Sequence, residues 1–253
     1  MNKELIDLYL KTSKHSAYQI LPDCLKNTIQ YNVKQIINRY EKERMDFLKS
    51  CLSFKDKHVL DIGGNTGFFS FESIEAGAKM VSYVEGNPTH EIFVRKASEK
   101  LNKNIKTQNA YLDFKIAAEQ TRFDIVLLFN VIHHLGDDFG DKSISLEKAK
   151  EEMQNAISYF TNNTEVLVLQ MGFCWKGNPS LPLFTNGTKK EMIDFVLSSV
   201  GNNWEIQSIG IAEERDEITE YKILNEENIK RNDQLGEFRN RPIFILKNKS
   251  YVG

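Results

Sequence analysis

"VLDIGGNTGFFS", residues 59–70, is the stretch on which the fold turns. Two apolar residues lead into Asp61, and Gly63, Gly64 and Gly67 then fall within five positions. The run before the aspartate reads as a strand, and the phenylalanine-rich run after the glycines reads as a helix ended by Gly77. A glycine turn between them lets a ligand approach bare backbone, because glycine accepts positive φ and has no side chain in the way. The competing reading is a tight turn with no ligand. The next strand, "KMVSYVEGN", ends on Glu85, eighteen residues after Gly67. An acid there can accept hydrogen bonds from both hydroxyls of a ribose. Turn, spacing and terminal acid together predict a nucleoside-binding strand–helix–strand unit.

Outward from this unit, strands and helices alternate. "THEIFVRKASEKLN" predicts a helix, "IKTQNAY" a weak strand, and "FDIVLLFNVI" a strand apolar enough to be buried on both faces. "SLEKAKEEMQNAISYF" and "TKKEMIDFVLSSVG" predict helices on either side of the strand "EVLVLQMGF". "WEIQSIGI" and "RPIFILKN" predict the last two strands. Such alternation means a parallel sheet covered by helices. Residues 1–54 read as a helical N-terminal extension, with one long helix over "CLKNTIQYNVKQIINRYEKERMDFLKSCL". Residues 55–253 read as the main domain.

The 253 residues are 41% hydrophobic and 27% charged, which fits a globular chain with a substantial core. A net charge of -2 and a pI of about 6.3 argue against a dedicated nucleic-acid binder, which carries a basic stripe. No window approaches the ~18 apolar residues of a membrane span, and no signal-peptide pattern opens the chain. Cys24, Cys51 and Cys174 are scattered, so they read as reduced thiols and the expected location is cytoplasmic. Homo-oligomers are allowed by this composition.

The pattern D-x-G-x-N-x-G from Asp61 to Gly67 is not the dinucleotide spacing G-x-G-x-x-G. It resembles motif I of the class I S-adenosylmethionine-dependent methyltransferases, and the resemblance extends over about residues 55–250. It implies an α/β, Rossmann-like, seven-stranded, mostly parallel sheet whose last strand is antiparallel, with helices on both faces. It implies S-adenosylmethionine as cofactor, with Asp61, Gly63, Gly64, Asn65 and Gly67 against its methionine part. Asn65 stands where the family most often has glycine. Glu85, followed by Gly86, would hold the ribose. "QNAYLD" matches the adenine-contacting stretch, with Asn109 in place of the usual aspartate and Ala110 after it. A bound sulfonium needs little acid assistance, so orientation of the acceptor supplies most of the rate.

By the same resemblance, "FNVIHHLGDDFG" borders the point of methyl transfer. Asn130 falls on the cofactor side, and His133 and His134 are the catalytic candidates. Histidine titrates near neutrality and can take a hydroxyl proton, and similar methyltransferases of small molecules and sugars use the first histidine of such a pair. Packing or capping is the competing role. Metal-dependent relatives carry an aspartate at the fourth strand's end and an Asp-Asn pair later. Here Asn130 and "QMGFCW" stand instead, so no metal is expected and Asp137, Asp138 and Asp141 read as a solvated turn. The long connection 211–240 is charged, mostly helical in pattern, and lies on the active-site face in this family.

Its end brings Arg239 and Arg241 to the acceptor side, with Trp175 and Lys176 after the fifth strand. Arginines suit phosphate or carboxylate, so an anionic small-molecule acceptor is expected, for example a phosphorylated or nucleotide-linked sugar in surface-polysaccharide or small-molecule biosynthesis. Pairing with Glu213, Glu214 or Glu237 is the competing fate. Tyr18, Tyr40 and Arg44 are the acceptor candidates of the extension, read as a lid. Two alternative functions stand beside O-methylation. One is tRNA modification, from a resemblance of "RYEKERMDFL" and "AGA" to wobble-uridine-modifying enzymes. The other is a non-catalytic nucleotide-binding protein.

Overall fold

The computed structural model describes residues 3–11, 19–26, 28–29, 38–114 and 121–251. The chain divides into two compact units, Met1–Leu112 and Asp113–Gly253.

The first unit contains α1 (Lys3–Leu10), α2 (Asp23–Lys26), α3 (Glu41–Cys51), β1 (His58–Ile62), α4 (Phe68–Glu75), β2 (Met80–Glu85), α5 (Pro88–Lys100) and β3 (Ile105–Asn109). Its strands run parallel in the order β3-β2-β1. Val59, Leu60 and Ile62 are buried with Val81, Tyr83 and Val84, as a sheet covered on both faces requires. Helix α1 packs on α5, with the Tyr9 and Phe93 rings 5.5 Å apart. The long N-terminal helix expected from sequence is not continuous. Asn38–Tyr40 is non-helical, and Tyr40 takes the left-handed conformation, φ 59°, at the start of α3. Residues 27 and 30–37 of that expectation lie outside the described residues, as does Tyr18.

The second unit contains β4 (Phe123–Phe129), α6 (Leu146–Ser158), β5 (Thr164–Gln170), α7 (Lys189–Val200), β6 (Trp204–Arg215), β7 (Ile218–Ile223), α8 (Gly236–Arg239) and β8 (Ile243–Asn248). The order is β4-β5-β8-β6-β7, with β4 and β5 parallel and β8 antiparallel to both β5 and β6. The antiparallel last strand is as expected, and the α/β, Rossmann-like class holds.

The strand count is not seven: eight strands occur among the described residues. The additional one arises in the connection read as helical. Residues 211–215 complete β6, and β7 folds back on it as a hairpin. Thr219 and Tyr221 are buried while Ile218, Glu220 and Lys222 are exposed, a period of two that outweighs the helical reading of the charged residues. The hairpin turns through Asp216 and Glu217, both at positive φ, the conformation of a two-residue primed turn made here without glycine. Only α8 and a short 3-10 turn at Asp233–Leu235 are helical in this segment. No helix among the described residues is long and apolar enough to cross a membrane.

Candidate cofactor cradle and acceptor-side residues

In the first unit the glycine turn is built on a buried acid. Asp61, near the end of β1, is 2% exposed and accepts a hydrogen bond from Ser70 Oγ at 2.7 Å. Burial pushes its carboxyl up to about 7, and the nearby Glu85 charge pushes the same way. A Cβ on Gly64 would lie 2.6 Å from the Tyr83 ring and 2.7 Å from Asp61 Oδ2, so only glycine lets this strand end close over the acid. Gly67 enters α4 at φ 81°. Asn65 is also left-handed, φ 52°, and its side chain accepts from Thr66 N. The Tyr83 hydroxyl donates to the Asn65 carbonyl.

Glu85 ends β2 and is partly exposed. Asn65 N donates to its Oε2 at 2.9 Å and Asn87 N to its Oε1 at 2.8 Å. The acid therefore ties the glycine turn to its own strand end. A carboxylate accepts about four hydrogen bonds, so these two amides do not exclude ribose hydroxyls as further donors. Asn109 Nδ2 donates to the carbonyls of Glu85 and Gly86, and Ala110 N donates to the Glu85 carbonyl. The Asn109 amide nitrogen is thus spent on the loop, which leaves Oδ1 as the acceptor atom of that side chain. The exposed Tyr111 ring lies directly against Gly86, a flat apolar face that sequence reasoning passed over. These residues fit S-adenosylmethionine: bare backbone for the methionine part, an acid for the ribose, and a ring and an amide oxygen for the base.

The extension reaches this turn through the Gln19 side chain. Gln19 Oε1 accepts from Phe68 N at 3.2 Å and from Thr66 Oγ1 at 3.3 Å. Arg44 is buried, with its guanidinium 4.8 Å from the centre of the Phe69 ring. Tyr40 N donates to Asn38 Oδ1.

In the second unit Asn130 follows β4, and His133 and His134 lie in the short turn after it. His133 is 1% exposed, and its Nδ1 has no hydrogen-bond partner among the described residues. Burial, then the charges of His134 and Arg241, hold its imidazole well below the usual histidine range, so it is neutral at pH 7. His134 Nδ1 lies 3.4 Å from Asp138 Oδ2 and 3.9 Å from Asp137 Oδ2. One polar side-chain atom from each of these three residues lies within 4.8 Å of the others, so the turn read as solvated is drawn together around His134.

The four acceptor candidates of this unit are already engaged within it. Trp175 is buried and its Nε1 donates to the Leu135 carbonyl at 2.7 Å. The Lys176 ammonium lies 4.2 Å from the centre of the Trp175 ring. Arg239 pairs with Glu214, and its Nη1 also donates to Thr219 Oγ1. Arg241 pairs with Glu237 through Nε and Nη2, and its Nη1 donates to Asn130 Oδ1 at 2.7 Å. Arg241 holds Glu237 below the ordinary carboxylate range against the opposing effect of burial, so the pair is charged at neutral pH. A cavity of about 730 Å³, with Lys189, Glu213 and Arg231 among its lining residues, includes none of the expected site residues.

No protein-family model and no curated protein matches the chain. Solved structures do. One, from Listeria monocytogenes and described as an S-adenosylmethionine dependent methyltransferase, matches with TM-score 0.53 at 14% identity, over 83% of this chain and 98% of that one. WbdD matches with TM-score 0.55 at 14% identity, over 98% of this chain and 50% of that one, and is described in a second structure as a bifunctional kinase-methyltransferase. The 16S rRNA methylase RmtB matches with TM-score 0.50 at 12% identity, over 83% of this chain and 64% of that one. The fold is that of the Rossmann-like class I S-adenosylmethionine-dependent methyltransferases.

Proposed function

We propose that this chain is an S-adenosylmethionine-dependent methyltransferase that methylates an oxygen of a small hydroxylated acceptor, with His133 as the general base. The observation that carries the acceptor side is His133 itself: a buried, neutral imidazole whose Nδ1 lacks a hydrogen-bond partner among the described residues. A buried polar atom without a partner is costly and calls for one, and an acceptor hydroxyl supplies it. When bound, the cofactor supplies an electrophilic methyl group on a sulfonium. Glu85 and the Gly63–Gly67 turn hold it, and Asp61 supports that turn from beneath. His133 aligns the acceptor hydroxyl and receives its proton at Nδ1.

A hydroxyl is favoured over the anionic groups expected from sequence. Arg239 and Arg241 each spend their charge on a carboxylate, Glu214 and Glu237, so the two arginines offer little net charge to a phosphate. The net charge of -2 favours small acceptors over RNA. Sugars and other small molecules of biosynthetic pathways, including surface polysaccharides, carry the required hydroxyls.

The test is transfer of a tritiated methyl group to fractionated small molecules and, separately, to bulk RNA. Label in an alkali-stable small product is expected, and His133→Ala lowers kcat by ~10²- to 10⁴-fold, as removal of a general base does. Label confined to RNA overturns the acceptor class, and a near-normal kcat in the variant overturns the role of His133.

A further inference from the structure

Behind His133 lies a closed ring of hydrogen bonds that the proposed reaction does not itself require. Asn130 holds φ 58°, a conformation uncommon outside glycine. Its N–H donates to the Gln170 carbonyl at 2.7 Å and its Nδ2 to Gln170 Oε1 at 3.1 Å. Gln170 Nε2 donates to the Arg241 carbonyl at 3.1 Å, and Arg241 Nη1 closes the ring on Asn130 Oδ1 at 2.7 Å. Glu237 grips the same guanidinium through Nε, at 3.1 Å to each oxygen, and also accepts from Phe173 N at 3.0 Å. Asn130, Gln170, Glu237 and Arg241 thus join the ends of β4 and β5 to α8 and the entrance of β8.

Gly172 connects this ring to the imidazole. A Cβ placed there would lie 2.8 Å from His133 Cδ2 and Nε2, and 3.2 Å from Arg241 Nη2. Imidazole and guanidinium therefore both approach the same glycine, in space that only a missing side chain leaves open. Arg241 is only 9% exposed, and its planar fork is satisfied from two directions.

We propose that Arg241 is a positioning residue: clamped by Glu237, it fixes the Asn130 turn and the seating of His133, in place of binding an anion on the acceptor. This rests on the reading of His133 as the base. The charged and titratable groups facing His133 are His134, from the same turn with ring centres 4.3 Å apart, and Arg241, with Glu237 behind it from α8. The guanidinium charge opposes protonation of the imidazole, and Glu237 partly offsets that charge.

The test is a histidine-ring NMR titration of the whole protein without cofactor or acceptor, for wild type, Arg241→Met and Glu237→Gln. The His133 signal is expected to titrate at higher pH in Arg241→Met and at lower pH in Glu237→Gln. Loss of packing alone would lower the melting temperature and leave the titration where it was. With acceptor, kcat is expected to fall by ~10- to 100-fold, the scale of a small misplacement, with acceptor KM unchanged and the acid limb of the profile moved to higher pH in Arg241→Met. An unmoved His133 titration in both variants overturns the proposal, as does a raised acceptor KM with kcat intact, the signature of an anion clamp. If Arg241→Met does not fold, Glu237→Gln alone decides. The titration needs no methyl transfer, so failure of the enzymatic reading and failure of this one are read separately.

Discussion

Replacing Asp61 with asparagine isolates the electrostatic cost of building the glycine turn over a buried acid. Burial raises the Asp61 carboxyl from 3.8 to about 7. The folded state then binds more protons at this site than the unfolded chain does between those two values. The stability contribution is fully present below the unfolded value, falls as pH rises, and is lost once pH passes the folded value. Integrating the linkage relation for this pair of values gives a loss of about 2.5 kcal/mol between about pH 5 and about pH 8. Asparagine keeps the shape and can still pair with Ser70, but it does not titrate. Urea unfolding of the unliganded protein at both pH values, for wild type and Asp61→Asn, gives a double difference in which every other titrating group cancels. The expected double difference is about 2.5 kcal/mol, with the wild type losing more stability as pH rises. A double difference of zero, or one of opposite sign, would refute the reasoning, because it would mean that burial of Asp61 does not disfavour its charge.

Two further variants probe the same turn by packing and by hydrogen bonding. Gly64→Ala places a methyl group against Tyr83 and Asp61 at distances no Cβ tolerates, and overpacking of this kind costs ~1–3 kcal/mol, read as a lowered urea midpoint. Gln19→Ala removes the acceptor for Phe68 N at the start of α4. The expected loss, ~0.5–2 kcal/mol, is that of a helix N-cap, accompanied by faster amide exchange at Phe68.

The parts of the molecule legible in the sequence are those set by short-range rules. The glycine turn and the acid ending the second strand follow from spacing within one supersecondary unit, and the histidine pair after the fourth strand from the resemblance. The antiparallel last strand followed from the resemblance, since its direction is set by its neighbours in the sheet. What escaped depends on partners distant in sequence. Whether Arg241 meets an acceptor or Glu237 is decided by the packing of α8 beside the β8 entrance, which no local pattern encodes. Gln170 lies at the end of an apolar run and gave no signal until Asn130 and Arg241 were beside it. The β6–β7 hairpin was misread because Asp216 and Glu217 make its turn where glycine or asparagine is the usual cue. Gln19 lies 49 residues before Phe68, and only the folded chain brings its side-chain oxygen to the start of α4. Tyr111 lies within the adenine stretch, yet only the folded loop brings its ring against Gly86.

The central claim, that the turn from Asp61 to Gly67 and the acid Glu85 hold S-adenosylmethionine, is tested most directly by a thermal-shift titration. S-adenosylmethionine, S-adenosylhomocysteine and NAD would each be added to the wild-type chain and to Glu85→Ala, with the unliganded melting temperature of each as reference. A ligand that binds only the folded state at a hundredfold excess over Kd contributes ~2.7 kcal/mol. The account predicts a clear shift with both sulfur nucleosides, none with NAD, and loss of the shift in a Glu85→Ala chain that still melts cooperatively. A shift with NAD alone, or a sulfur-nucleoside shift that survives Glu85→Ala undiminished, would contradict it.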